Sequence, residues 1–178
     1  MTVEATAREP VVFGFGTPEY AEITDWVTRE VHLLDEARFD EWYEQLHPSL
    51  TYSMPVRLSL MPKDGFGFRD DTDYYLDDYT SIRTRLNRLK TEMAWAEQPG
   101  SRTRHLVTNL LVEGAGDDEY RVRGQFLVTR ARADHLPDIF SGVREDLLVR
   151  GGGGLLLRQR RVLLDQSVLK SFNLSILF

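Results

Sequence analysis

The chain has 178 residues, 42% hydrophobic and 28% charged, a composition that supports one folded domain and excludes wholesale disorder. It contains no cysteine, which excludes disulfides, thiolate zinc sites and an iron–sulfur cluster held on its own sulfurs. A net charge of −6 argues against a general nucleic-acid binder, and no apolar run approaches the ~20 residues of a membrane span.

Residues 1–17 read as an extended arm punctuated by Gly14 and Gly16, with acids and no apolar h-region near the start, so a cytoplasmic location is expected. Residues 18–178 read as a single domain. Pro18 opens a helix with Thr17 as its N-cap. Tyr20, Ile23, Val27, Val31 and Leu34 then give an amphipathic stripe. Asp35 is placed to cap a second helix carrying Phe39, Trp42, Tyr43 and Leu46, which Pro48 ends. Residues 50–61 predict a strand bent at Pro55, residues 65–73 a loop, and Tyr79, Ile82, Leu86, Leu89 and Met93 a third helix, broken at Pro99-Gly100.

Beyond Ser101 the period changes to two. Strands are expected over 103–113, 120–129, 138–150 and 155–165, joined by hairpins at 114–118, 133–137 and 151–154. Helices followed by an antiparallel meander indicate an α+β fold with helices on one face of a curved sheet. The charge divides along the same line. Residues 1–100 carry 10 Lys/Arg against 19 Asp/Glu, and residues 101–178 carry 12 against 9.

Few side chains suggest chemistry. His32 and Asp35 have a helical ligand spacing but no third ligand nearby. His105 shares a strand face with Val107, Asn109 and Leu111, and with Tyr79 or Tyr52 opposite it could serve as a general acid or base. The alternative is a hydrogen-bonded structural histidine. The glycine run 151–154 lacks a following Lys-Ser/Thr and is a hairpin rather than a phosphate loop. Arginine is abundant on the strands after residue 100, against a single lysine there, Lys170. Arginine is enriched at protein interfaces and lysine depleted. The apolar stretch Phe172, Leu174, Ile176, Leu177 and Phe178 likewise suggests docking.

Seven segments in consistent order carry a family resemblance: EVHLLD at 30–35, YSMPVR at 52–57, WAE at 95–97, SRTRHLVTN at 101–109, RED at 144–146, LLD at 163–165 and NLS at 173–175. Together they resemble the small (β) subunit of bacterial aromatic-ring-hydroxylating dioxygenases of the biphenyl, toluene and polycyclic-hydrocarbon type. The resemblance implies an NTF2-like cone, a curved antiparallel sheet wrapped around N-terminal helices. It also implies a noncatalytic structural role beside a catalytic α subunit, within an α₃β₃ hexamer that includes a β trimer. The Rieske 2Fe–2S cluster and mononuclear non-haem iron that form an arene cis-dihydrodiol are then expected in the α subunit. Ferredoxin and reductase act through that subunit, and this chain is expected to hold no cofactor and to bind neither nucleic acid nor membrane. Arg102, Arg104, Arg144, Arg158 and Phe178 are the candidate subunit contacts. The competing readings are a stand-alone NTF2-like dehydratase or isomerase using His105 and Tyr79, and a small-molecule-binding module using the cone cavity.

Overall fold

The computed structural model describes residues 10–59, 63, 67–89, 100–132, 136–169, 171 and 174–178. In chain order the elements are β1 (Val12–Phe13), α1 (Pro18–Asp35), α2 (Phe39–Glu44), β2 (Leu46–Leu58) and β3 (Gly67–Asp78). They continue with α3 (Tyr79–Leu89), β4 (Arg102–Gly116), β5 (Glu119–Ala131), β6 (Asp138–Gly151) and β7 (Gly154–Leu164).

Helix α1 starts where the sequence predicts. Thr17 is extended (φ −78°, ψ 147°), and its side chain accepts a hydrogen bond from the Tyr20 amide. Its inward stripe is Ile23, Val27, Val31, Leu33 and Leu34, with one carboxylate, Glu30, among them. Helix α2 ends at Glu44, earlier than Pro48 suggests, and its N-cap is Arg38 without a side-chain bond. Asp35 does not cap it. Pro48 instead lies inside β2.

Among the described residues the strands form one sheet in the order β1-β4-β5-β6-β7-β2-β3. The meander from β4 to β7 is antiparallel throughout, as expected from the period-two pattern. Two features were not anticipated. Strand β2 joins the far side of β7 in parallel, and β3 occupies most of the segment predicted as a loop. The register of β2 on β3 slips on both sides of Pro55, the bend the sequence suggested.

A second irregularity lies in β4, where the pairing with β5 shifts between Thr108 and Leu111. Asn109 adopts a left-handed conformation there (φ 53°), which adds one residue and reverses the faces beyond it. Before the bulge Thr103, His105 and Val107 point inward; after it Leu110 and Val112 do. Asn109 and Leu111 are exposed, so they do not share the face of His105. Asn109 donates to Gln125 on the outer side instead (2.8 Å).

The core lies between the helices and the inner face of the sheet. Ile23, Trp42, Tyr52, Met54, Ile82, Leu86, Val128, Leu148, Leu157 and Val162 are all buried there. Gly142 marks a close approach of β6 to β7, since a Cβ at that position would sit 2.2 Å from the Leu163 carbonyl oxygen. The curved sheet around helices is the cone-shaped α+β architecture expected from the sequence.

Candidate functional site

His105 stands on the inner face of β4 opposite the C-terminal end of α1. Asp35, the last residue of α1, accepts three bonds from β4: from the Thr103 hydroxyl (2.9 Å), the His105 amide (3.0 Å) and the His105 ring, where Nδ1 lies 2.6 Å from Oδ1. Burial pulls the Asp35 carboxyl upward, and the bonds from His105 and Thr103 overcome it, leaving the group below its ordinary value. The second ring nitrogen, Nε2, lies 2.8 Å from the main-chain oxygen of Leu177. Both nitrogens therefore face acceptors.

A cavity of about 220 Å³ adjoins this pair, bounded by Leu34, Asp35, Phe39, Thr103, Ile176 and Leu177 among others. Tyr79 does not line it. That residue begins α3, where its ring stacks on Tyr43 (4.4 Å) and its carbonyl accepts from the Tyr43 hydroxyl. The Tyr52 hydroxyl is also engaged, accepting from the Phe178 amide at 2.9 Å. The acid–base set anticipated around His105 is thus not assembled: Asn109 faces outward, Tyr79 is elsewhere and Tyr52 is bonded to main chain.

The segment 174–178 packs inside the cone. Ile176, Leu177 and Phe178 are buried, and the Phe178 ring packs on Phe126 (5.6 Å) and Phe140 (5.4 Å). Tyr75 donates to the carbonyls of Leu174 and Ile176. Arg160 Nη1 donates to the Phe178 oxygen at 2.7 Å. The described part of the apolar stretch docks inside its own chain, where the sequence reading had offered it as a subunit contact; Phe172 lies outside the described residues.

Beneath it lies a buried ionic cluster that the sequence reading missed. Glu30 accepts from Trp42 Nε1 (2.8 Å), Arg160 Nη1 (2.7 Å) and Arg144 Nη1 (2.9 Å). Arg160 forms a two-pronged pair with Asp146 (2.8 and 2.7 Å), and Arg144 Nε approaches the same carboxylate at 3.3 Å. Two guanidiniums and two carboxylates balance to zero charge. Burial raises the Glu30 carboxyl, but the charges of Arg160 and Arg144 and the bonds to it prevail, bringing it down to about 2. The signal was present in the sequence: Glu30 sits three residues after Val27 in the buried stripe of α1, and alternation places Arg144 and Asp146 with Phe140 on one face of β6.

The five candidate contact residues separate into two groups. Arg144 and Phe178 are each 1% exposed and bonded or packed inside the chain, so their assignment to subunit contacts is corrected. Neither has surface to offer a neighbour. Arg158 is half-buried and forks onto Glu119 (2.6 and 3.0 Å). Arg102 and Arg104 project from the outer face of the sheet, where Arg104 donates only to the adjacent Thr103 carbonyl.

Metal ligation finds no support in the donor set. Among the described residues no three His, Asp or Glu side chains converge, and His32 is exposed while Asp35 is held by β4. His135 lies outside the described residues. With no cysteine in the chain, a 2Fe–2S cluster would find no thiolate ligands here. No helix of the described residues is long and apolar enough to cross a membrane.

Comparison with known proteins gives this arrangement its context. Residues 29–171 match the family model described as the ring hydroxylating beta subunit. The chain belongs to that family. It is 36% identical over 163 residues to the biphenyl 2,3-dioxygenase subunit beta of Rhodococcus jostii (strain RHA1), covering 88% of this chain and 87% of the relative. A benzene 1,2-dioxygenase subunit beta of Pseudomonas putida is also 36% identical, over 164 residues with the same coverage. Among solved structures, naphthalene 1,2-dioxygenase with indole bound in the active site aligns with a TM-score of 0.79 at 24% identity, covering 91% of this chain and 88% of that one. The β-subunit fold is therefore shared well beyond the level of sequence likeness.

Proposed function

We propose that this chain is the structural, noncatalytic β subunit of a multicomponent dioxygenase that converts an arene to a cis-dihydrodiol. Its task is to fix the geometry of catalytic α subunits, which carry the Rieske cluster and the mononuclear iron. The observation that carries the reading is the docked segment 174–178 and the bonded state of His105. Ile176, Leu177 and Phe178 are packed inside the sheet, narrowing the space beside His105 to a cavity of about 220 Å³, and His105 has both ring nitrogens committed, to Asp35 and to Leu177. Such an interior supports rigidity rather than turnover. Family membership supports the α partner, and its relatives are β subunits of benzene and biphenyl dioxygenases. Three copies of each subunit, a trimer of this chain among them, form the assembly we infer, in the cytoplasm. Closed three-fold symmetry would hold each α subunit against the next.

The test is purification of the chain alone and with its α subunit, followed by iron analysis, visible absorbance and arene oxidation. The chain alone should be colourless and inactive, and the complex coloured and active. Turnover by the isolated chain that disappears in His105→Ala would refute the proposal in favour of an enzyme using the cone.

A further inference from the structure

The cavity beside His105 has walls of two kinds. Leu34 from α1, Phe39 from α2, Leu89 from α3, and Ile176 with Leu177 supply apolar surface. Leu34, Ile176 and Leu177 are buried, so this wall belongs to the core. Polar groups come from Asp35 at the end of α1, Arg130 on β5, and the row Ser101, Thr103 and His105. Alternation places that row on one face of the chain, with Ser101 one residue ahead of β4. Ala37 and Gly100 also border the cavity and are exposed, which marks its opening among the described residues.

These polar groups differ in what they have left to offer. The Thr103 hydroxyl and both His105 ring nitrogens are engaged, and Arg130 donates twice to Asp138 (3.1 and 2.7 Å). Ser101 Oγ is buried and has no hydrogen-bond partner among the described residues, a rare condition for an interior hydroxyl. Asp35 Oδ2 accepts only from the His105 amide, which leaves a carboxylate lone pair open. Burial works against the Asp35 charge, and the bonds from His105 and Thr103 outweigh it. An anionic ligand would therefore be repelled by Asp35, and a cationic one by Arg130. Size narrows the class further. An apolar cavity of ~150 Å³ admits benzene, whereas ordinary ligand pockets begin near ~300 Å³. At about 220 Å³ this one has room for a single ring with a small substituent.

We propose that this cavity is a binding site for a neutral single-ring phenol. The ring lies against Leu34, Ile176 and Leu177, and the hydroxyl donates to the Asp35 carboxylate while accepting from Ser101. The site goes beyond the structural-subunit reading and does not rest on it. Binding requires no proton transfer, so the committed nitrogens of His105 are no obstacle to it.

Titration calorimetry of the full chain with phenol, toluene and benzoate, joined to NMR of its labelled methyl groups, tests the site. Phenol should bind with a dissociation constant of about 1 mM or tighter, the range open to so small a ligand. Benzoate should bind about tenfold more weakly or not at all, because its charge meets Asp35. Nuclear Overhauser contacts from the phenol ring should reach the methyls of Leu34, Ile176 and Leu177. Ser101→Ala should weaken phenol by about fivefold, the worth of one hydrogen bond, and leave toluene unchanged. Circular dichroism and melting temperature should match wild type. The site is overturned by absence of phenol binding, by contacts to methyls elsewhere, by benzoate matching phenol, or by a Ser101→Ala loss that toluene shares. Were that variant to misfold, the contacts and the preference for phenol over benzoate in the wild-type chain would still decide. Conversion of bound phenol by the chain alone would remove the structural-subunit reading and keep the site. An active complex with the α subunit, formed by a chain that ignores phenol, would do the reverse.

Discussion

Glu30→Gln is the sharpest probe of the buried cluster. The substitution keeps the side chain's size but removes one negative charge from a set that balances to zero. Arg144 and Arg160, both without access to water, would then share only Asp146. Removing one partner from a buried ion pair costs about 3–5 kcal/mol, because the other charge is stranded. The Glu30 carboxyl provides a second estimate. Held at about 2 against a reference of 4.5, it contributes on the order of 3 kcal/mol through proton linkage. Its folded value is depressed, so this contribution is complete above the unfolded value of 4.5 and is lost as pH falls toward 2. For a domain of this size each kcal/mol corresponds to about 2–4 °C, so Tm should drop by roughly 10 °C. Urea melts at pH 7, 5, 4 and 3 would measure both effects. Wild type should lose stability steeply below pH 4.5, and Glu30→Gln should start lower and fall less steeply. A variant within 1 kcal/mol of wild type at pH 7, or one with an unchanged acid slope, would refute the reasoning.

Three further substitutions have defined outcomes. Phe178→Ala should destabilise by about 3–5 kcal/mol in urea melts, since it empties the space between Phe126 and Phe140. Gly142→Ala should cost about 1–3 kcal/mol, because β6 and β7 must separate to relieve the contact with the Leu163 oxygen; thermal melts would show it. Asp35→Asn removes the charge that Thr103 and His105 converge on and should cost about 1.5–3 kcal/mol. Hydrogen exchange should then quicken in residues 174–178, and the loss should shrink in acid, where the wild-type carboxylate is itself protonated.

Much of the architecture was legible because local chemistry and tertiary packing agree. Thr17 and the stripe from Ile23 to Leu34 define α1 without help, and period-two alternation gives the meander from β4 to β7. Strand β3 was hidden because its acids occupy positions where a strand pattern shows apolar residues. An edge strand can carry them, and they guard its open side. The parallel pairing of β2 with β7 has no local signature, since nothing near Leu46 announces Leu157. Asp35 has the position of a cap and was read as one, but a partner 70 residues away claims it. Asn109 shows the same limit. One residue in a left-handed conformation reverses the faces beyond it, and alternation counted from His105 then misplaces Asn109 and Leu111. The interior arginines were misread for a related reason, because composition reveals how many guanidiniums there are but only register reveals which side they take.

The parallel seam between β2 and β7 has a consequence for how the polypeptide reaches its final form. Leu46 pairs with Leu157, and Glu30 with Arg160, so β2 has β3 beside it early but lacks its β7 neighbour, and Glu30 its Arg160 partner, until roughly 100 more residues have been synthesised. At 5–20 residues per second, ribosomes leave that seam open for about 5–20 s. Maturation is therefore a late, concerted event, slow in the manner of topologies dominated by distant pairings. Truncation anywhere before β7, which removes the seam with β2 and Arg160 of the buried cluster, should yield aggregates rather than a smaller folded unit.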